Sequence, residues 1–191
     1  MSASETIDTA YDEPPGWADR LYEVVDGKFV EPTPMGLYEG MVAAVLHDAI
    51  IVHFSSSGRT GWVVVEMLFR LFTQPKRARR PDLAYVSYER WPRDRPFSNT
   101  AAWEVVPDLA VEVVSPGNTA IEIFVKLDEY FRAGVRRVWV IYPQQGFVQD
   151  YEALDRVKVL NAEGILDGGE VLPGFKIKLS GLFNTETSTT D

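Results

Sequence analysis

Two carboxylates and an amine, Asp82, Glu112 and Lys126, are the residues whose types and settings point to chemistry. Glu112 sits inside "VPDLAVEVVSP", residues 106–116, a run so short and apolar that it reads as a strand covered on both faces. Side chains alternate along a strand, so Ala110, Glu112 and Val114 share one face while Leu109, Val111 and Val113 share the other. A carboxylate under a covering layer is costly unless its pKa shifts or a cation meets it. Asp82 opens a second strand run, "RPDLAYVS", residues 80–87, on the face of Ala84 and Val86. Where such strands are neighbours, the two acids reach a common point. Paired carboxylates beside small residues suit Mg²⁺ or Mn²⁺, hard cations that take one or two protein carboxylates and keep waters for a substrate phosphate. Such an ion stabilises charge on a phosphoryl oxygen and activates a bound water.

Lys126 follows on a helical run, in an i, i+4, i+8 stripe with Glu122 and Tyr130, and is long enough to reach a neighbouring strand end. Plainer readings stand beside these. Asp82 also fits a Pro-Asp turn that hydrogen-bonds local backbone. Glu112 also fits a buried ion pair with Arg70 or Lys126, and Lys126 a solvated partner of Glu122. In "VPDLAVEVVSP", Asp108 only starts the strand that presents Glu112.

The elements that must position these residues follow from periodicity. "YEVVDGKFVE" reads as a hairpin, because Asp26-Gly27 suits a two-residue turn with positive φ. From Gly36 to His53, Leu37, Met41, Val45, Leu46, Ala49 and Val52 suggest a helical stripe that ends at "SSSG". "GWVVVEMLFRLF" reads as one strand, followed by a basic turn and the strand of Asp82. Asn118 to Ala133 reads as a helix with Ile121, Phe124, Val125, Leu127 and Phe131 inward and Gly134 as its stop. The strand "RVWVIYP" then completes a right-handed parallel crossover. Glycine-punctuated runs beyond it read as antiparallel edge strands, giving a mixed-sheet α/β sandwich with helices on both faces.

A chain of 191 residues suits one domain, expected over 16–183, with frayed tails over 1–15 and 184–191. No cysteine is present, so disulfides and thiolate metal sites are excluded and any metal is held by oxygen with at most two histidines. His47 and His53, six residues apart on one helix, do not share a face as paired ligands. The N-terminus lacks a leader pattern and no unbroken apolar run approaches a membrane span, so a cytoplasmic protein with no membrane partner is expected. Gly-rich phosphate loops and a Gly-x-Ser-x-Gly elbow are absent. The net charge of −9 argues against indiscriminate nucleic-acid coating, yet residues 76–95 hold seven cations against three acids. Lys76, Arg77, Arg79 and Arg80 are therefore the candidate nucleic-acid-binding residues. Trp17, Trp62, Trp91, Trp103 and Tyr88 lie near cations, a composition that suits base stacking as well as loop packing.

The series "YEVVDG", "RPDLAYVS", "PDLAVEVVSP", "KLDEYFRAGV", "RRVWVIYP" and "LPGFKIKLSGLF" resembles the Uma-type restriction endonuclease family of the PD-(D/E)XK nuclease superfamily. The likeness runs roughly from Tyr22 to Phe183. It implies an α/β (α+β) fold with a restriction-endonuclease-like mixed β-sheet flanked by helices, a strand–helix–strand crossover and antiparallel edge strands. It also implies a metal-dependent endonuclease acting on DNA. Asp82 and Glu112 would hold Mg²⁺ or Mn²⁺, and Lys126 would be the motif's cation. Glu66 matches an often acidic position and becomes a further candidate ligand, while Glu23 matches the family's early glutamate. Most of the superfamily carries its lysine two residues after the second acid, where this chain has Val114; the family resembled carries it on the following helix, as here. The chain departs from the family at Tyr38, where a histidine is common, at Glu122 in place of aspartate, and at Tyr142-Pro143 in place of Asp-Pro. Those departures leave a second expectation open, a catalytically idle nuclease fold serving as a DNA-binding or protein-interaction module. A homodimer built on the edge strand near "DRVKVL" is compatible with either.

Overall fold

The computed structural model describes residues 20–72 and 76–183, and the tails expected over 1–15 and 184–191 lie outside them. The hairpin forms as its turn dictates. β1 (Glu23–Val25) and β2 (Lys28–Val30) pair antiparallel with Val25 opposite Lys28. Between them Asp26 and Gly27 take φ values of 50° and 75°, the mirror-image turn whose twist matches that of the flanking strands.

The helix α1 (Leu37–Ser57) stops at Gly58, where the Ser-Ser-Ser-Gly stretch places its end. Its face differs from the expected stripe. Val42, Ala43, Leu46, Ile50 and Phe54 are buried, whereas Met41 and Val52 are exposed and Leu37 is 87% exposed. The helix is apolar almost all round, so spacing alone does not choose a face and the sheet beneath decides. By length and composition α1 could also cross a membrane, although Glu39, His47, Asp48 and His53 interrupt its apolar runs; here its buried face packs on the central sheet as a core helix does.

"GWVVVEMLFRLF" is two strands rather than one. β3 (Gly61–Val65) ends where Glu66 takes a φ of 47°, and β4 (Phe69–Phe72) continues in a different sheet. Backbone bonds hold this break: the Glu66 N–H donates to the Asp82 carbonyl at 3.2 Å, and the Arg80 guanidinium donates to the Glu66 carbonyl. The expected basic turn is itself largely a strand, β5 (Arg77–Arg79), which lies between β1 and β4 in a four-stranded sheet ordered β2-β1-β5-β4.

The central sheet contains β3, β6 (Leu83–Ser87), β7 (Leu109–Val113), β8 (Arg137–Tyr142), β9 (Phe147–Ala153) and β10 (Arg156–Asn161), in the order β10-β9-β8-β7-β6-β3. Only the β7–β8 pair is parallel, joined by α2 (Ala120–Ala133) as the crossover reading requires. "DRVKVL" falls mostly on β10, an outer strand of this sheet. A hairpin of β11 (Ile165–Asp167) and β12 (Lys176–Lys178), then α3 (Leu179–Phe183), completes the chain's described part.

The alternation read in β7 holds. Leu109, Val111 and Val113 join Leu46, Ile50, Trp139 and Phe175 on the α1 side, while Ala110 joins Ala84, Val138 and Val140 on the α2 side. Most of the stripe expected on α2 does not face inward. Leu127 is buried with Ile123 and Tyr130 and Phe131 is partly buried, but Ile121 is 76% and Phe124 61% exposed, and Val125 is exposed as well. What turns α2 is polar rather than apolar, as the site shows.

The turn gives a direct test of backbone cost. A methyl group at Gly27 would meet no atom within 4 Å, so Gly27→Ala carries only the penalty of a positive φ, about 1 kcal/mol. Thermal unfolding should show a Tm lower by about 2–4 °C.

Candidate functional site

β6 and β7 run antiparallel with Leu83 opposite Val111 and Ala84 opposite Ala110, so the next position sets Asp82 across from Glu112. Asp82 Oδ2 accepts the Val113 N–H at 2.5 Å, which ties the first acid to the strand of the second. Glu112 is buried beneath α2. A capping box between Thr119 and Glu122 starts that helix, and Gly134 ends it in the left-handed conformation. Lys126 and Tyr130, one turn apart on its inner face, both reach Glu112. The Lys126 Nζ donates to Oε2 at 2.8 Å and the Tyr130 hydroxyl to Oε1 at 2.5 Å. Lys126 is thus no solvated partner of Glu122, whose carboxylate is occupied with the Thr119 N–H. The ion-pair reading of Glu112 is realised with Lys126, while Arg70 pairs with Glu104.

A second buried network adjoins the first. Lys126 lies 3.3 Å from Glu23 Oε1, and the other Glu23 oxygen accepts from Arg79 at 2.6 Å. Arg79 also donates to Glu129 at 2.6 Å, and Arg77 bridges Glu129 at 2.5 Å and Asp26 at 2.6 Å. Of the candidate nucleic-acid-binding cations Lys76, Arg77, Arg79 and Arg80, Arg77 and Arg79 are therefore not the solvent-facing guide for a phosphate backbone that the sequence suggested. Arg77 and Arg79 point inward because β5 is a strand inside a sheet, and their charges are met by Glu23 and Glu129. Arg80 donates to the Tyr22 carbonyl at 3.2 Å, while Lys76 is exposed and its carbonyl accepts the Gly27 N–H.

The electrostatics single out Asp82. Burial, and then the charge of Glu112, push its carboxyl up to about 7, against a partial offset from the Val113 N–H. Burial alone would lower the Lys126 ammonium, but Glu112 and Glu23 outweigh it and hold its pKa above the ordinary lysine value. Burial likewise works against Glu23, yet Lys126 and Arg79 keep its carboxyl below the usual range. Asp82 and Glu66 open together onto a cleft of about 330 Å³, whose walls include Arg20, Arg80, Glu31 and Met35. Among the described residues no three or more His, Asp or Glu form a group placed to hold a metal, so the site offers two facing carboxylates with Glu66 at the cleft beside them.

These dispositions meet the comparisons. The family model named Uma2, described as "Putative restriction endonuclease", matches residues 12–180. The chain belongs to the Uma2 family. No curated protein matches it. Among solved structures, it is similar to one titled as a "putative nuclease belonging to DUF820" from Anabaena variabilis, with a TM-score of 0.72 and 17% identity over 85% of this chain and 89% of that one. At that identity the likeness shows the fold, a nuclease-like mixed sheet with flanking helices.

The positions where the Uma2 chain departs from its family's common residues are engaged elsewhere. The Tyr38 hydroxyl donates to the Phe183 carbonyl at 3.0 Å, Glu122 caps α2, and Tyr142 stacks on Phe147 at 4.4 Å. Asp108 keeps the structural part read for it, accepting the Ser87 N–H at 2.8 Å and pairing with Arg90. Trp17 lies outside the described residues. Glu129 and Arg79 escaped the sequence reading as a pair. The available signal was an acid on the same flank of the helix as Lys126 and Tyr130, four residues or fewer away.

Two measurements check this account. Glu129→Ala removes one of the two acids that meet each of Arg77 and Arg79, leaving Asp26 and Glu23, and should cost about 1.5–3 kcal/mol in urea unfolding, whereas Arg132→Ala, which loses only an exposed pair with Asp128, should stay within about 0.5 kcal/mol. For Asp82 the folded pKa lies above the ordinary 3.8, so its contribution to stability is full below that value and is lost as pH rises through about 7. Without divalent metal, the Tm of Asp82→Asn should therefore overtake that of the parent progressively across this window. A constant difference between the two would contradict the assigned shift.

Proposed function

We propose that this chain is a metal-dependent endonuclease that hydrolyses phosphodiester bonds in DNA, with Mg²⁺ or Mn²⁺ held by Asp82 and Glu112. The observation that supports it is the facing of these two acids across β6 and β7 with Lys126 within hydrogen-bond reach of one of them. The donor set fits a hard divalent cation: carboxylate oxygens, no thiolate, and an Asp82 whose ionised form is disfavoured by burial and by the charge of Glu112 until a cation offsets them. Each Glu112 oxygen accepts one hydrogen bond and retains a lone pair for an ion. Bound there, the cation would polarise a phosphoryl oxygen and lower the pKa of a coordinated water.

The rest falls to the chain's own groups. Lys126, held protonated by Glu112 and Glu23, serves as a fixed cation that offsets charge developing on the phosphate and orients the attacking water; it is not set up to remove a proton. Tyr130 fixes the Glu112 carboxylate from the opposite oxygen, and Glu23 anchors Lys126 from the small sheet. Glu66 borders the same cleft as a further candidate ligand. With Arg77 and Arg79 engaged internally, Arg80 and Arg20 on the cleft wall are the cations best placed to meet a backbone phosphate.

The test is divalent-dependent cleavage of plasmid and single-stranded DNA by the purified protein beside Asp82→Ala, Glu112→Ala and Lys126→Ala. Each substitution should reduce cleavage by roughly 10²-fold or more. Equal activity in all four proteins would sink the assignment. The net charge of −9 and the occupied Glu112 oxygens favour a second reading, an idle nuclease fold that binds DNA or protein. Calorimetric titration with Mn²⁺ separates the two, since that reading expects no heat that depends on Glu112.

A further inference from the structure

The aromatic residues that the catalytic reading leaves unused gather on the same face of the central sheet as the acids. Trp62 and Val64 project from β3 on the α2 side, where Val64 lies opposite Ala84 and Ala84 opposite Ala110. The next row on that face is Asp82 and Glu112, two residues further along the strands, or about 7 Å. Beside Val64 opens a cavity of about 340 Å³, walled by Trp62, Met67, Phe97 and Trp103, with the hydroxyls of Ser98 and Thr100 at its rim. Met67 follows Glu66 directly, so the cavity and the acid-lined cleft are separated by the break between β3 and β4.

The walls are rigid where they need to be. Trp103 stacks on Phe69 at 5.7 Å, and the Trp62 indole N–H donates to the Trp91 carbonyl at 3.3 Å. Phe97 is 58% exposed and meets Trp62 edge-on at 5.2 Å and Trp103 at 5.4 Å. Phe97 also stacks on Trp91 at 5.9 Å, and a surface phenylalanine among three tryptophans is an apolar expense that stacking of a planar ligand on its other face would recover. Positive charge adjoins the rings: Arg59 lies 5.3 Å from the Trp62 ring centre and Arg95 3.8 Å from that of Trp91. Planar walls, rim hydroxyls and adjacent guanidinium groups are what an unpaired base and its phosphates require. Val64 lies one same-face row and Trp62 two rows, about 14 Å, from the acids, which sets that base near the bond being cut.

We propose that this cavity, between Trp62, Phe97 and Trp103, binds an unpaired nucleobase near the scissile phosphate. The proposal rests on the nuclease reading for the meaning of its position, and the assay keeps the two apart. Anisotropy of labelled single-stranded deoxy- and ribo-oligonucleotides is measured with Asp82→Ala, which holds the strand intact, alone and combined with Phe97→Ala or Phe97→Tyr. A set of oligonucleotides with one abasic position moved along the strand is included.

Stacking of one base on aromatic side chains corresponds to roughly 5- to 150-fold in affinity. Phe97→Ala should lose affinity in that range, Phe97→Tyr should restore it, and one abasic position should cost as much in the parent but little in Phe97→Ala. Preference between the deoxy and ribo strands then assigns the sugar. Unchanged affinity in Phe97→Ala, or indifference to every abasic position, overturns the pocket even where the wild-type chain cleaves DNA. Base-dependent binding by a chain that never cleaves leaves the pocket standing and overturns the enzyme.

Discussion

A carboxylate buried in the middle of a central strand is the constraint from which most of this structure follows. Glu112 cannot be left without donors under a helix, and both of its donors, Lys126 and Tyr130, come from α2. Their one-turn spacing fixes the rotation of that helix about its own axis as well as its height above β7. The apolar arrangement yields to this requirement: Ile121 and Phe124 stay in solvent while Lys126 goes inward. A few polar contacts with strict geometry thereby outrank a larger number of interchangeable hydrophobic ones.

The same logic extends outward by alternating charge. Glu23 of the small sheet meets Lys126 from the far side, Arg79 meets Glu23, and Glu129 of α2 receives both Arg79 and Arg77. This chain of pairs docks the four-stranded sheet against α2 beside an apolar contact in which Phe69 and Leu71 of β4 share a cluster with Ile123 and Leu127. Buried ion pairs give modest net stability, yet breaking one is expensive, so they act chiefly to select one arrangement over others. The site inherits a fixed Lys126 and a crowded pair of acids from what is otherwise a packing device.

The central strands, the crossover and the facing of Asp82 and Glu112 were legible in the sequence because a period of two assigns every side chain on a strand to a face once one is known. Helix faces were not. α1 and α2 carry apolar residues on more than one side, and which side is covered depends on partners distant in sequence. The break at Glu66 was hidden for a related reason: β-branched and aromatic residues flank it on both sides, and glutamate gives no local signal for a positive φ. The strand character of Arg77–Arg79 was masked by charge, since two of the four cations in residues 76–80 pair with acids up to 56 positions away.

That break between β3 and β4 places two stretches of chain under different physical constraints. Only Glu66, Met67 and Leu68 join an outer strand of the large sheet to the small one, and the Glu66 N–H is bonded to the Asp82 carbonyl. A residue gained or lost there would shift two sheets out of register at once and carry Glu66 away from Asp82. The long connection from β6 to β7, which brings Phe97 and Trp103 to the cavity, is bonded to distant backbone at Tyr88, Trp103 and Asp108, and only the stretch between Trp91 and Trp103 lacks such a tether among the described residues. Change in length and composition should accumulate in that connection, so that related chains keep one arrangement of acids while differing in what surrounds the strand they meet.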